Sequence, residues 1–374
     1  MTSLAASKTR MKADASAWFA SKALGLADPD SVFLHAPSHV FQAPGGGENQ
    51  LVRTALALDA LGVEIRPFSP WSDRLEDARV LHLFGMSREG LELARVARTR
   101  HVPVVVSPIC WYDPRALAAL AKSWPQAAVD VSKWAIHRVL PYPVGWRSEL
   151  LQLVDAVLPN SKAEARQLIT LFGADPKKLR IVPNGVEERF ADASPEVFRD
   201  WHGEGEFVLF VGRIEPRKNV LGLINASKSE SMPIVLIGDA PPGCEDYRAA
   251  CRVAGEGVAR WHPAVGHEDP FLASAYAAAR VVALPSWFET PGLAALEGAL
   301  AGRAVVVTPH GSAREYFGTM VEYARPEHPG EIAKALAKAW RYGPDPRLAS
   351  HVRSNFLWSE VARRTAEVYE QVAH

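Results

Sequence analysis

Short, almost wholly apolar runs recur along this chain, and each is followed by a stretch whose apolar residues fall at helical spacing. In the first half the runs are residues 32–35, 63–67, 80–84, 102–107 and 156–158. In the second half they include 207–211, 281–284 and 304–308. Strands buried on both faces read as continuous apolar runs, whereas half-exposed ones alternate. Apolar runs alternating with amphipathic helices predict an α/β chain of doubly wound, Rossmann-like parallel sheets with helices on both faces. The helical stretches 48–61 and 161–172 are each followed by a glycine, Gly62 and Gly173, the residue best suited to end a helix.

A chain of 374 residues has room for two such domains. Residues 181–182 read as the last strand of the first. Pro195, Asp200, Gly203 and Gly205 interrupt the pattern within 187–206, and the linker is placed there. The expected division is 1–195, 196–350 and a final segment 351–374 holding a helix near 358–372. Two domains of this class hold a ligand in the cleft between them.

Forty-two basic and forty-two acidic residues leave no net charge, so nucleic acid is not an expected partner. No apolar run reaches the ~18 residues that span a bilayer. The first thirty residues carry Lys8, Arg10, Lys12, Asp14 and Lys22 without a continuous apolar core, unlike a secretory signal. Trp18, Phe19 and Leu24 allow at most a weak amphipathic helix and peripheral membrane contact. Cys110, Cys244 and Cys251 are odd in number and lack CxxC spacing, which fits three small buried side chains in a reducing, cytoplasmic setting.

The densest chemistry lies in residues 280–302. A short strand ends in Pro285-Ser286-Trp287-Phe288-Glu289, and a helix is expected to follow with Thr290 as N-cap and Pro291 in its first position. Glu297 then lies about two turns into that helix, roughly 10 Å along its axis from Glu289. Two carboxylates so spaced can each accept hydrogen bonds from hydroxyls. A helix N-terminus between them, with the N–H groups of Gly292 and Leu293, favours an anion. Hydroxyls, phosphate and hydroxyls again is the layout of a nucleotide sugar, although two unremarkable glutamates would give the same spacing.

Upstream, the apolar run 207–211 leads into Gly212-Arg213, and Lys218-Asn219 follow in the next loop. Open α/β sheets bind ligands at the carboxyl ends of their strands. There Arg213 and Lys218 could neutralise a diphosphate as it leaves. Arg217 nearby keeps open the reading of a solvated basic loop.

Together, Gly212-Arg213 with Lys218-Asn219, the Glu289–Glu297 segment, Gly302 and the following strand resemble the retaining GT-B glycosyltransferases of family 4, also called group 1. Asp155-Ala-Val-Leu-Pro-Asn160-Ser161, Asn184-Gly185-Val186, the strand ending in Gly238, His310-Gly311-Ser312 and Ala43-Pro-Gly45-Gly46-Gly47-Glu48 match in order. The resemblance implies a GT-B fold whose C-terminal helix crosses back to an N-terminal acceptor domain, with the donor bound by the C-terminal domain. It implies transfer of a hexosyl group from a UDP- or GDP-linked sugar to a saccharide, lipid-linked or small-molecule hydroxyl acceptor, with retention and with neither cofactor nor metal.

In that scheme Arg213, Lys218 and Glu289 act at the reacting sugar. Gly46, Gly47, Gly212, Gly238, Thr290, Gly292, Leu293 and Glu297 line the donor, and residues 238–243 and 261–267 discriminate the base. Lys218→Ala is expected to lower turnover by orders of magnitude with little loss of fold. The chain departs from the family where a histidine often stands near the acceptor, reading Ser107-Pro-Ile-Cys-Trp111-Tyr112-Asp113 instead. Trp111, Asp113, His35 and His39 are the acceptor-side candidates. Asp113 could equally make a surface Asp-Pro turn. Pro291 removes one N–H from the helix start. A nucleotide-sugar-binding protein of another class, an epimerase or a non-catalytic binder, is the alternative reading.

Overall fold

A computed structural model describes residues 22, 31–37, 46–121, 123–139 and 145–373. The expectations for His39, for Ala43 to Gly45 and for the first thirty residues other than Lys22 lie outside the described residues. The chain divides into two compact units. One, the N-terminal unit, contains the described residues between 22 and 114 and between 128 and 185, and the final helix. The other, the C-terminal unit, contains residues 115–127 and 186–357.

The N-terminal unit holds a five-stranded sheet, with β1 (Val32–His35), β2 (Ile65–Pro67), β3 (Val80–Phe84), β4 (Val104–Ser107) and β5 (Ala156–Val157) in the order β2-β1-β3-β4-β5. Every pair is parallel. The apolar runs predicted these strands to within two residues. Residues 181–182 form no strand; the sheet's last contact there is an isolated bridge from Val157 to Leu179. The helix Lys162–Phe172 starts where Ser161 caps the N–H of Glu164 and stops at Gly173, whose φ of 65° is left-handed.

The final helix, Trp358–Val372, packs on the helix Gly46–Ala60 within this unit. His82 of β3 ties it to the sheet. Its Nδ1 lies 2.6 Å from the Tyr369 hydroxyl and its Nε2 3.0 Å from the Ser107 hydroxyl. Burial pushes this imidazole down to about 3, so it is neutral at ordinary pH. Gly185 has no room for a side chain, because a β-carbon there would stand 2.6 Å from the Trp358 ring.

The C-terminal unit holds β6 (Val208–Val211), β7 (Ile234–Ile237), β8 (Ala259–His262), β9 (Val281–Leu284), β10 (Ala304–Val307) and β11 (Glu322–Tyr323) in the order β11-β10-β9-β6-β7-β8, all parallel. Residues 187–206 are not a bare linker. They form a turn at Glu188–Phe190 and the helix Glu196–His202, with Phe190 and Phe198 wholly buried in the core. The glycines and Asp200 suggested a break, but Phe198 stacks on Phe207 and its N–H bonds the Ser274 hydroxyl. The long stretch of this unit runs from Val186 to Leu357. Val186 and Leu357 bridge side by side, and the Val186 N–H bonds the Phe356 carbonyl at 2.7 Å.

All three cysteines are free; Cys110 and Cys251 are buried, whereas Cys244 is only partly so. In the N-terminal half Tyr112, Trp134 and Trp146 pack against its core, whereas Trp71 is 97% exposed. No described helix is long and apolar enough to cross a membrane.

Candidate functional site

In the C-terminal unit the chain runs from β6 outward to β7 and β8, then returns to β9 and continues to β10 and β11 on the other side. The reversal lies between β6 and β9, and open α/β sheets bind ligands outside the carboxyl ends of the strands at such a point. Arg213, Lys218 and Glu289 all follow these two strands.

The turn after β6 is set by backbone packing. Gly212 and Gly238, at the ends of β6 and β7, have φ values of 154° and 153°. A β-carbon on Gly238 would lie 1.8 Å from the Gly212 carbonyl oxygen. Only glycine permits that approach.

Lys218 closes the turn Pro216–Lys218, and its ammonium donates to Glu289 Oε1 at 2.6 Å. The Ser286 hydroxyl donates to the same oxygen at 2.5 Å. The loops after β6 and β9 are laced together further: the Trp287 N–H bonds the Arg217 carbonyl, and the Asn219 amide bonds the Pro285 carbonyl. Burial of Glu289 opposes its charge, but Lys218 and Arg217 outweigh it and hold the carboxyl below its ordinary range. Burial lowers the Lys218 ammonium from its ordinary value, with Glu289 opposing. Arg213 is more open, its side chain 45% exposed and 3.2 Å from Glu215. Lys218 is thus paired with a carboxylate, and Arg213 is the more exposed of the two cations.

The helix carrying Glu297 begins later than the sequence suggests. The Thr290–Pro291 peptide is cis, and the helix spans Leu293–Leu300 with Gly292, at φ 90°, as its N-cap. Thr290 is therefore not the cap and Pro291 not the first helical residue. The left-handed turn that brings the chain into the helix falls at Gly292, and Glu297 stands little more than one turn in. Gly298 lets this helix lie close on β9, since a β-carbon there would be 2.6 Å from Val282. The turn after β10 is zipped to the first glutamate. The Glu289 N–H bonds the His310 carbonyl, the Ser312 N–H bonds the Glu289 carbonyl, and a β-carbon on Gly311 would meet that carbonyl at 1.9 Å.

Glu297 is buried, and its Oε2 accepts the Tyr276 hydroxyl at 2.5 Å. Sequence reasoning missed Tyr276. The available signal was a lone tyrosine inside the small-residue helix Pro270–Ala278, wholly buried in the structure.

In the N-terminal unit, Gly46 and Gly47 are not in a loop but open the helix Gly46–Ala60. A β-carbon on Gly47 would touch the Ile109 side chain at an ordinary 3.6 Å. His35 ends β1, buried, with Nε2 3.9 Å from Glu89; burial lowers its pKa. Asp113 is buried, so it does not make a surface turn; the helix Pro114–Leu120 starts directly after it. Trp111 is half-buried, and its indole N–H has no hydrogen-bond partner.

The segment bearing these residues is clamped by one helix. Glu164 accepts the N–H groups of Cys110 at 2.6 Å and Asn160 at 2.7 Å, while Gln167 bonds both the N–H and the carbonyl of Tyr112. Burial pushes the Glu164 carboxyl up to about 7 against those two donors. Neither clamp residue was singled out from the sequence. Glu164 and Gln167 lie three residues apart, which places them on one helical face.

Residues 205–341 match the family model described as glycosyl transferases group 1. A D-inositol 3-phosphate glycosyltransferase of Kineococcus radiotolerans is 30% identical, covering 62% of this chain and 61% of that protein. The chain therefore spans about six tenths of such a relative's length. Among solved structures, Anabaena HepE in complex with UDP and glucose matches with a TM-score of 0.67 over 91% of this chain and 99% of its own, at 18% identity. Sucrose-phosphate synthase from Thermosynechococcus elongatus matches with a TM-score of 0.69 over 91% and 98%, at 16% identity. Identities this low show the fold alone, and that fold is GT-B.

Proposed function

Residues 205–341 belong to the glycosyl transferases group 1, and from that premise we propose that this chain is a hexosyltransferase-type glycosyltransferase. It moves a sugar from a UDP- or GDP-linked donor to a hydroxyl of a saccharide or glycoconjugate acceptor, with retention. The observation that carries the reading is the convergence of Arg213, Lys218 and Glu289 at the carboxyl ends of β6 and β9, with Glu297 in the next helix.

Each group has a role that its chemistry allows. Lys218 spends one of its three N–H donors on Glu289 and keeps two for phosphate oxygens. Arg213 offers its planar fork to the same diphosphate. Both become more useful as the sugar–phosphate bond breaks and negative charge builds on the leaving oxygen. Glu289, held ionised by Lys218, accepts hydroxyls of the donor sugar, and Glu297 accepts those of the ribose. Gly212, Gly238, Thr290, Gly292 and Leu293 let backbone approach the donor. The acceptor oxygen bonds the anomeric carbon as the phosphate leaves, and its proton passes to the departing phosphate on the same face. Two cations supply the charge that a metal would otherwise bring. The name of the Kineococcus relative makes an inositol phosphate the first acceptor to try.

A thermal-shift panel with UDP, GDP, ADP and TDP, on wild type and Glu297→Ala, tests the donor site. A ligand at 100 times its Kd adds about 2.7 kcal/mol, a rise of a few degrees in Tm. One nucleotide stabilising the wild type but not the variant supports the reading. No shift with any of them removes the donor site and moves a non-catalytic protein ahead.

A further inference from the structure

In the turn after β6, Glu215 stands between two guanidinium groups. Arg213 Nη2 donates to its Oε1 at 3.2 Å. Arg217 Nε and Nη2 lie 3.1 Å and 3.0 Å from the same oxygen. The Glu215 side chain is 12% exposed, against 25% for Arg217 and 45% for Arg213. The two cations are held unequally. Arg217 also donates from Nη1 to the Phe288 carbonyl, lies over the Phe288 ring, and accepts the Trp287 N–H on its own carbonyl. Arg213 reaches Glu215 through one nitrogen, at the longest of the three distances to Oε1.

One carboxylate oxygen shared by two guanidinium groups serves neither fully, and the less anchored of the two is the one free to leave. When Arg213 turns away, Arg217 remains on Glu215, so the exchange strands no buried charge. A diphosphate offers Arg213 several charged oxygens and a bidentate grip in place of one shared oxygen. Glu215 withholds the guanidinium that those phosphates would take. Its help in fixing the Arg213 side chain is the smaller effect, because an ion pair with one partner this exposed contributes little. Resting on the reading of Arg213 as a diphosphate-binding cation, we propose that Glu215 is a positioning residue that competes with the nucleoside diphosphate for Arg213. It thereby shortens the time the product stays bound after transfer. Arg217 keeps Glu215 paired throughout.

The test is the Kd and the dissociation rate of UDP, GDP and ADP on wild type, Glu215→Gln, Arg213→Gln and the double variant, with the ligand-free Tm of each as a check on folding. Glu215→Gln keeps the size of the side chain and an oxygen for Arg217, and gives up the charge that holds Arg213. It is expected to tighten nucleotide binding about fivefold, the upper end of what a partly exposed ion pair contributes, with most of the change in slower release. Loss of a merely structural brace does not raise affinity. Arg213→Gln should weaken binding, and adding Glu215→Gln to it should change Kd by less than about twofold. Glu215→Asp, which draws the carboxylate back by one methylene, should give part of the gain and reads the same competition if the amide variant is unstable. Unchanged or weaker binding by a folded Glu215→Gln protein overturns the proposal. So does a fivefold gain that persists without Arg213, because that is general charge repulsion. Failure of the wild type to bind any nucleotide is a different result: it defeats the donor site itself, and this proposal with it.

Discussion

Lys218 and Glu289 stand 71 residues apart in the chain, yet the ammonium of one lies 2.6 Å from the carboxylate of the other where β6 and β9 end side by side. Their side chains are 15% and 5% exposed. The pair therefore gives the site a fixed charge arrangement and also bears on stability, because a largely buried charge without its partner is costly.

Lys218→Ala should lower kcat by about 10²–10³ through loss of leaving-group stabilisation. It should also destabilise the fold by about 3 kcal/mol, since Glu289 is left buried and unpaired. This replaces the sequence-based expectation that the substitution spares the fold. The double variant Lys218→Ala with Glu289→Gln should recover most of the denaturant midpoint and none of the turnover. A single variant as stable as wild type would show that the pair contributes nothing.

Gly238→Ala should fail to accumulate as folded protein, or unfold at least about 3 kcal/mol more easily. The added methyl would lie 1.8 Å from the Gly212 carbonyl, and both strands must shift to admit it. Gly243→Ala, also at a left-handed φ but with nothing near its β-carbon, serves as control and should cost far less in urea unfolding.

His82 makes the N-terminal unit sensitive to acid. Its folded value is about 3 and its unfolded value is near 6.5, so the unfolded chain binds the proton first. Stability is complete above pH 6.5 and falls as pH drops through the interval down to 3. The loss should be about 2 kcal/mol between pH 6.5 and pH 5. Urea unfolding at both pH values, on wild type and His82→Asn, checks this; the variant should show a smaller drop.

Gln167→Ala frees both backbone groups of Tyr112 from their clamp. A cost of about 1–2 kcal/mol is expected, with faster hydrogen exchange at the Tyr112 amide and little change at β4. Unaltered exchange at Tyr112 would mean that the loop is held by other contacts.

Much of this organisation can be read from single residues. Val80–Phe84 and Val281–Leu284 are strands at the residues the apolar runs mark, and Ser161 and Gly173 bound their helix as their chemistry requires. Local signals failed where a tertiary contact overrode them. Gly203 and Gly205 suggested a linker, yet Phe190 and Phe198 anchor that segment in the core. Thr290 looked like a cap, but the turn into the helix falls at Gly292.

The chain's own sequence determined the alternation of strand and helix, the two-unit α/β architecture and which residue types cluster after β6 and β9. These follow from periodicity and backbone preference, which act over a few residues at a time. Tertiary structure alone decided that Lys218 pairs with Glu289, that Gly238 backs onto Gly212, and that Tyr276 and His267 meet opposite oxygens of Glu297. Those contacts join positions 21 to 71 residues apart, and no local preference encodes a distance set by the order in which strands lie across a sheet.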